Sequence, residues 1–237
     1  MKLIAVLLLF FPGRFFAFSR DGQHSGISAS VYFTVDTLYP FSQNKTIPKE
    51  FEQPILAALS HFPELKPIRI NFITREAYTP LSTRPAFKSL IKRKSRRKYL
   101  IIISTRSIDT LAPLLFKNLT FNERVGIMGH ELSHVVDFDN KNFLQSLVNA
   151  VGHISKRFID KMEFHTDLIC VQHGLGKYLE SYSLHVRKTM HVKYWRGVDH
   201  VFEKDDHTER YMNPATIEKF MKASAAGRTV TEATIKK

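Results

Sequence analysis

One pentapeptide constrains this chain more than any other feature: His130-Glu131-Leu132-Ser133-His134. Its spacing has chemical meaning only on a helix. At about 100° per residue, histidines four apart lie about 40° apart on one face, one turn apart along the axis. The flanks predict that helix. Thr120 or Asn122 can cap it, no proline interrupts it, and it runs to about Asp137 before Asp139-Asn140-Lys141-Asn142 breaks the pattern. Two imidazoles so placed can reach one Zn²⁺ at about 2.0–2.1 Å each. Glu131 lies about 60° beyond His134, too displaced to share the metal but close enough to hold a water bound to it. Zinc lowers the pKa of such a water to about 7, and the carboxylate can take its proton. Val125, Met128 and Leu132 occupy the opposite face and predict a core contact. Gly126 and Gly129 permit close approach of neighbouring backbone.

A catalytic zinc needs a third protein ligand and an open position. The metzincin continuation requires Gly at 137 and His or Asp at 140; the chain has Asp137 and Asn140, so that pattern fails. Asp137 lies about 20° from His130 on the helical wheel, which makes it a candidate ligand and a better candidate for supporting one. The other candidate is Glu163-Phe164-His165-Thr166-Asp167, inside a predicted helix over 157–172. Glu163 and Asp167 are four apart and share a face. Glu163 can bind zinc while Asp167 accepts the remaining N–H of a ligand histidine.

The two pentapeptides together resemble the gluzincin metallopeptidases, in which H-E-x-x-H is followed by Glu-x-x-x-Asp on a later helix. The second segment is closest to the E-x-x-A-D form of minimal gluzincins related to the CAAX prenyl proteases, with Thr166 standing where Ala is usual. The resemblance covers these ten positions and the order of elements. It implies zinc ligands His130, His134 and Glu163, a general base at Glu131 and a supporting carboxylate at Asp167. It also implies a Tyr or His beyond the third ligand that stabilises the oxyanion. Tyr182, His185, His191, Tyr194 and Tyr211 all qualify by type, and spacing selects none of them.

The remaining pattern predicts an α+β fold: a zincin-like domain with a small N-terminal sheet and a helical half. Residues 27–35 (ISASVYFTV) read as a strand. Phe51, Ile55, Leu59 and Phe62 give a helix over 49–62, and Ile68, Ile70 and Phe72 alternate as a half-buried strand. Residues 75–98 read as a polar excursion. The apolar run 99–104 reads as a strand covered on both faces, one that could pair with an extended substrate if it formed a sheet edge. Helices follow at the motif, at 144–151 and at 157–172, where Gly174-Leu175-Gly176 interrupts or ends the pattern. Asn213-Pro214 starts a last one through Met221, and the tail 223–237 is small and polar.

The N-terminus carries Met1-Lys2, an apolar run Leu3–Phe11 and Pro12-Gly13, with Ala17 and Ser19 suited to a cut after Ser19. That pattern predicts a signal peptide over 1–19, a single domain over 20–237 and a secreted or periplasmic protein with no transmembrane helix after signal removal. Arg14 and the short run disfavour an uncleaved anchor. Cys170 is the one cysteine among 237 residues, so no intramolecular disulfide forms; it reads as buried apolar filler.

The net charge of +13 favours anionic surroundings. Much of it sits in Lys92-Arg93-Lys94-Ser95-Arg96-Arg97-Lys98, which reads as a solvated strand-end loop or as a contact to an anionic envelope surface. No stacking aromatics or recognition motif points to a specific nucleic acid. The expected function is an exported zinc metallopeptidase acting on peptide or protein substrates. The alternative is a basic, envelope-associated binding protein on an inactive zincin scaffold.

Overall fold

The apolar run 99–104 forms the centre of a four-stranded mixed sheet. In the computed structural model, which describes residues 35–86, 89, 96–141, 155–197 and 209–226, the strand order is β1-β2-β4-β3. The strands are β1 (Lys45–Thr46), β2 (Arg69–Arg75), β3 (Leu81–Pro85) and β4 (Lys98–Ser104). β1, β2 and β4 run parallel, and β3 lies antiparallel against β4. Ile101, Ile102 and Ile103 are all buried, as a strand covered on both faces requires. Because β2 and β3 flank it, β4 is no edge and cannot receive a substrate strand. Among the described residues β3 is one of the two terminal strands, with β1 at the other edge, and it arises inside the stretch expected to be a polar excursion. The register sets Ile70 beside Tyr99, Phe72 beside Ile101 and Leu81 beside Ile103 on the face that joins the main core.

The helices are a short α1 (Val35–Leu38), α2 (Glu52–Leu59), α3 (Phe121–Asn140), α4 (Lys156–Cys170), α5 (Gly176–Met190) and α6 (Pro214–Ala225). Val35 therefore opens a helical turn where the sequence pattern puts the end of a strand; the rest of 27–34 lies outside the described residues. So do the expected signal peptide, the helix at 144–151, Lys92–Ser95 of the basic run and the tail beyond 226. Among the described residues no helix is long and apolar enough to cross a membrane.

α3 packs against α2, α4, α5 and β3, which makes it the axis of the helical half. Its start is fixed by a capping box. Thr120 Oγ1 accepts from the Glu123 N–H, and Glu123 Oε2 accepts from the Thr120 N–H at 2.8 Å. Its end is fixed by the sheet. Arg97 Nη1 donates to the Lys141 carbonyl at 2.7 Å, and Tyr99 Oη donates to Asp139 at 3.1 Å. Arg97 is thus a buried strut rather than part of a solvated loop.

α5, for which the sequence pattern gave no separate element, follows α4 without a loop. A single π-helical turn, Val171–Leu175, joins them, and Gly174 takes φ 81° there, a conformation costly for any residue with a Cβ. The chain re-enters a helix whose Leu179 and Val186 are buried.

Gly126 lets α5 approach. A Cβ at that position would sit 2.2 Å from the Tyr178 carbonyl oxygen, and one at Gly129 would sit 2.5 Å from Leu175 Cδ1. The Gly126 clash is with backbone, so no side-chain rotation relieves it. Gly126→Ala should destabilise the fold by about 1–3 kcal/mol, toward the upper end, as overpacking does. Urea unfolding of the variant that matches wild type would refute this account of the α3–α5 contact.

Candidate metal centre

The burial of α3 extends to its polar face. His130, Glu131, Ser133 and His134 are all buried alongside Val125, Met128 and Leu132. An imidazole in that position needs polar partners, because burying polar groups without them is costly. α4 supplies the partners.

Glu163 Oε2 lies 3.2 Å from His130 Nε2 and 3.2 Å from His134 Nε2, at angles that make neither a hydrogen bond, and it is buried. The two rings stand edge to face, with centroids 4.8 Å apart. Three ligand atoms therefore converge within 4.8 Å of one another, and this buried group could hold a metal ion. An acceptor oxygen directed between two imidazole nitrogens without accepting from either fits a cation better than a proton.

The outer nitrogens are held as well. Asp167 Oδ1 lies 2.7 Å from His130 Nδ1, the contact expected of that carboxylate. Its other oxygen, Oδ2, accepts the Met212 backbone N–H at 2.7 Å. His134 Nδ1 faces the Thr166 hydroxyl at 3.2 Å. Asp137 does not join the group. It pairs with Lys141 at the end of the same helix, so the angular nearness to His130 on the wheel does not become a contact.

Glu131, His130 and Glu163 border a cavity of about 230 Å³ that also touches Thr79, Pro80 and Leu81 at the start of β3. Of the five oxyanion candidates, Tyr182 and Tyr211 line it and the other three do not. His185 pairs with Glu123 at 3.2 Å, His191 ends α5 in a left-handed conformation, and the Tyr194 ring lies under Lys193. The Tyr211 ring centroid is 5.7 Å from that of His130. Burial, with Glu163 adding to it, pushes the Tyr211 phenol well above its ordinary value. Burial with Glu131 nearby does the same at Tyr182. Both phenols stay protonated donors at neutral pH.

The sequence pattern gives no sign of what holds Tyr211. Arg187 donates to its carbonyl at 3.0 Å and to Asn213 Oδ1 at 2.6 Å, and Ser183 Oγ donates to the Met212 carbonyl at 2.9 Å. Asp160, one turn before Glu163, takes Arg210 Nε and Arg196 Nη2 at 2.7 Å each. Asp160, Glu163 and Asp167 recur at intervals of three and four along α4. That acidic stripe is the only signal in the sequence that could have flagged Asp160.

Without metal, the centre has its own pH dependence. Burial disfavours the His130 imidazolium, but Asp167 and Glu163 outweigh it and hold its pKa well above 6.5. Burial also disfavours the Glu163 carboxylate, but His134 and His130 outweigh it and hold its pKa below 4.5. The stability from His130 is complete below pH 6.5 and lost as pH rises through the raised value. That from Glu163 is complete above pH 4.5 and lost as pH falls through the lowered value. Chelator-treated protein should therefore be most stable between pH 4.5 and 6.5 and weaken toward alkaline pH. Added metal should reverse the alkaline trend, because its ligands must lose their protons. Thermal unfolding across pH, with Glu163→Ala as reference, checks this; identical profiles for the two chelated proteins would refute it.

No protein-family model, curated protein or solved structure matches the chain, so the chemistry assigned to the centre rests on its own donor set.

Proposed function

We propose that this protein is a zinc metallopeptidase of gluzincin type on a zincin-like fold, exported to a secreted or periplasmic location and hydrolysing peptide bonds. The observation that carries the proposal is the convergence of His130 Nε2, His134 Nε2 and Glu163 Oε2 beside the carboxylate of Glu131. Ligands about 2.0–2.1 Å from one tetrahedral ion stand about 3.3 Å apart. The two His–Glu separations of 3.2 Å match that spacing. Two histidines and a carboxylate can also hold non-haem iron. Glu131 favours hydrolysis, since it follows His130 in sequence and faces the same cavity without ligating.

Zinc bound there would supply Lewis acidity toward the oxygen atoms that reach it. The protein's own groups do the rest. Glu131 takes a proton from the attacking water and returns it to the departing amine. Tyr211, held protonated over the His130 ring, donates to the oxyanion as it develops, and Tyr182 borders the same space. Asp167 keeps His130 in the tautomer whose Nε2 faces Glu163. The substrate would lie along β3, a terminal strand among the described residues. Thr83 Oγ1 ties β3 to α3 through the Glu131 carbonyl at 3.2 Å. An extended peptide paired to that edge would run past Glu131.

The test combines zinc and iron analysis with hydrolysis of a quenched peptide library. Wild type should retain one zinc and cleave. Glu131→Gln should keep zinc and lose roughly 10²- to 10⁴-fold in turnover, the usual size of general-base catalysis. Glu163→Ala should lose zinc as well as activity, while Asp137→Ala should keep both. Tyr211→Phe should keep zinc and lose roughly 10²- to 10³-fold in kcat, as removal of one oxyanion donor does. Iron in place of zinc, or full turnover by Glu131→Gln, would overturn the proposal.

A further inference from the structure

The two imidazoles of the centre are not supported alike. His130 Nδ1 faces a carboxylate, whereas His134 Nδ1 faces the hydroxyl of Thr166, a residue with no solvent exposure. Thr166 Oγ1 also lies 2.9 Å from the Met162 carbonyl oxygen, one turn earlier in α4. A carbonyl can only accept, so the hydroxyl proton goes to Met162 and the lone pairs of Oγ1 remain to accept. Nδ1 of His134 is then the donor to Thr166, and the lone pair of the ring lies on Nε2, the nitrogen 3.2 Å from Glu163 Oε2.

We infer that Thr166 is a positioning residue for His134: its hydroxyl fixes the tautomer and rotation in which Nε2 is the metal-binding nitrogen. The inference rests on the metal-centre reading above. It gives one face of α4 three linked tasks, because Glu163, Thr166 and Asp167 are spaced three and four apart. Glu163 is a ligand, Asp167 holds the first histidine of the motif, and Thr166 holds the second. Thr for Ala in this segment therefore adds a hydrogen bond to a ligand, beyond the small change in size. The hydroxyl is neutral, so it orients His134 without placing a second buried negative charge beside Asp167.

The test uses full-length protein in three variants. Thr166→Val keeps the side-chain shape without the hydroxyl, Thr166→Ala removes the hydroxyl with less bulk, and Thr166→Ser restores it. Zinc affinity is measured by competition with a chromophoric chelator, and the cobalt(II)-substituted absorption spectrum reports ligand geometry. Thermal unfolding of each chelated protein confirms that it folds. The Val and Ala variants should bind zinc roughly 10- to 100-fold more weakly and alter the cobalt spectrum, while Ser should stay within about threefold of wild type. Wild-type affinity in Val or Ala, or a loss in Ser equal to that in Val, would overturn the role of Thr166 alone. Wild-type protein that holds no zinc would overturn the metal-centre reading, and this role with it.

Discussion

The carboxylate of Asp167 is the interaction on which the rest of this structure depends. It is buried, and a buried carboxylate is tolerated only when its oxygens are occupied. One oxygen holds His130 on α3, and the other holds the Met212 backbone in the segment that carries Tyr211. A single side chain on α4 therefore sets the orientation of an imidazole and the position of a phenol. Removing it would leave a buried imidazole nitrogen and a buried backbone N–H without their acceptor, so the effect would reach both sides of the cavity.

That arrangement needs a helix whose polar face can be buried as completely as its apolar one. α3 meets the requirement through close contact. Gly126 and Gly129 admit α5 and the end of α4 on one side, while Val125, Met128 and Leu132 join the main core. Its start is closed by its own Thr120–Glu123 box, with Glu123 paired to His185 of α5, and its end is tied to Arg97, just before β4, and to Tyr99 of β4. On a helix so fixed, Asp167 and Thr166 keep the two imidazoles from rotating into solvent, where they would be hydrated and would no longer converge on Glu163.

Local periodicity made the centre legible in the sequence, because both motifs lie on helices and need only the 3.6-residue repeat to predict which side chains share a face. The repeat pairs His130 with His134 and Glu163 with Asp167, while it leaves Asp137 open beside Glu163 as the third donor. The repeat fails for Asp137: the wheel places it near His130, but Lys141 on the next turn is a nearer partner. β3 escapes sequence reading because Leu81 is its only strongly apolar residue, and its pairing depends on β4 rather than on its own pattern. α5 escapes because the glycines at 174 and 176 read as an interruption or an end without deciding between them, whereas the π turn lets the helix resume. Arg97 escapes because a dense run of charge reads as solvated, and nothing local shows that the carbonyl at the end of α3 requires a donor. Tyr182 and Tyr211 stand apart from the other three candidates only through the cavity they line, which the fold forms and residue type does not indicate.

β3 carries a conflict that bears on how such a site can be used. A terminal strand open to a peptide is also open to any other chain, which makes it an aggregation hazard. The strand answers this with a length of only five residues, with Arg84 inside it and with Pro85 at its end, which has no N–H to offer. These features weaken pairing with a passing strand, and they weaken pairing with a substrate equally. On the proposed reading, the edge alone therefore cannot hold a peptide in place. Binding has to draw on the cavity beside Glu131, where apolar walls such as Leu114 and Val186 adjoin the polar centre. An edge that aligns the peptide and a cavity that retains it divide the work, so alignment need not be tight enough to recruit another copy of the chain.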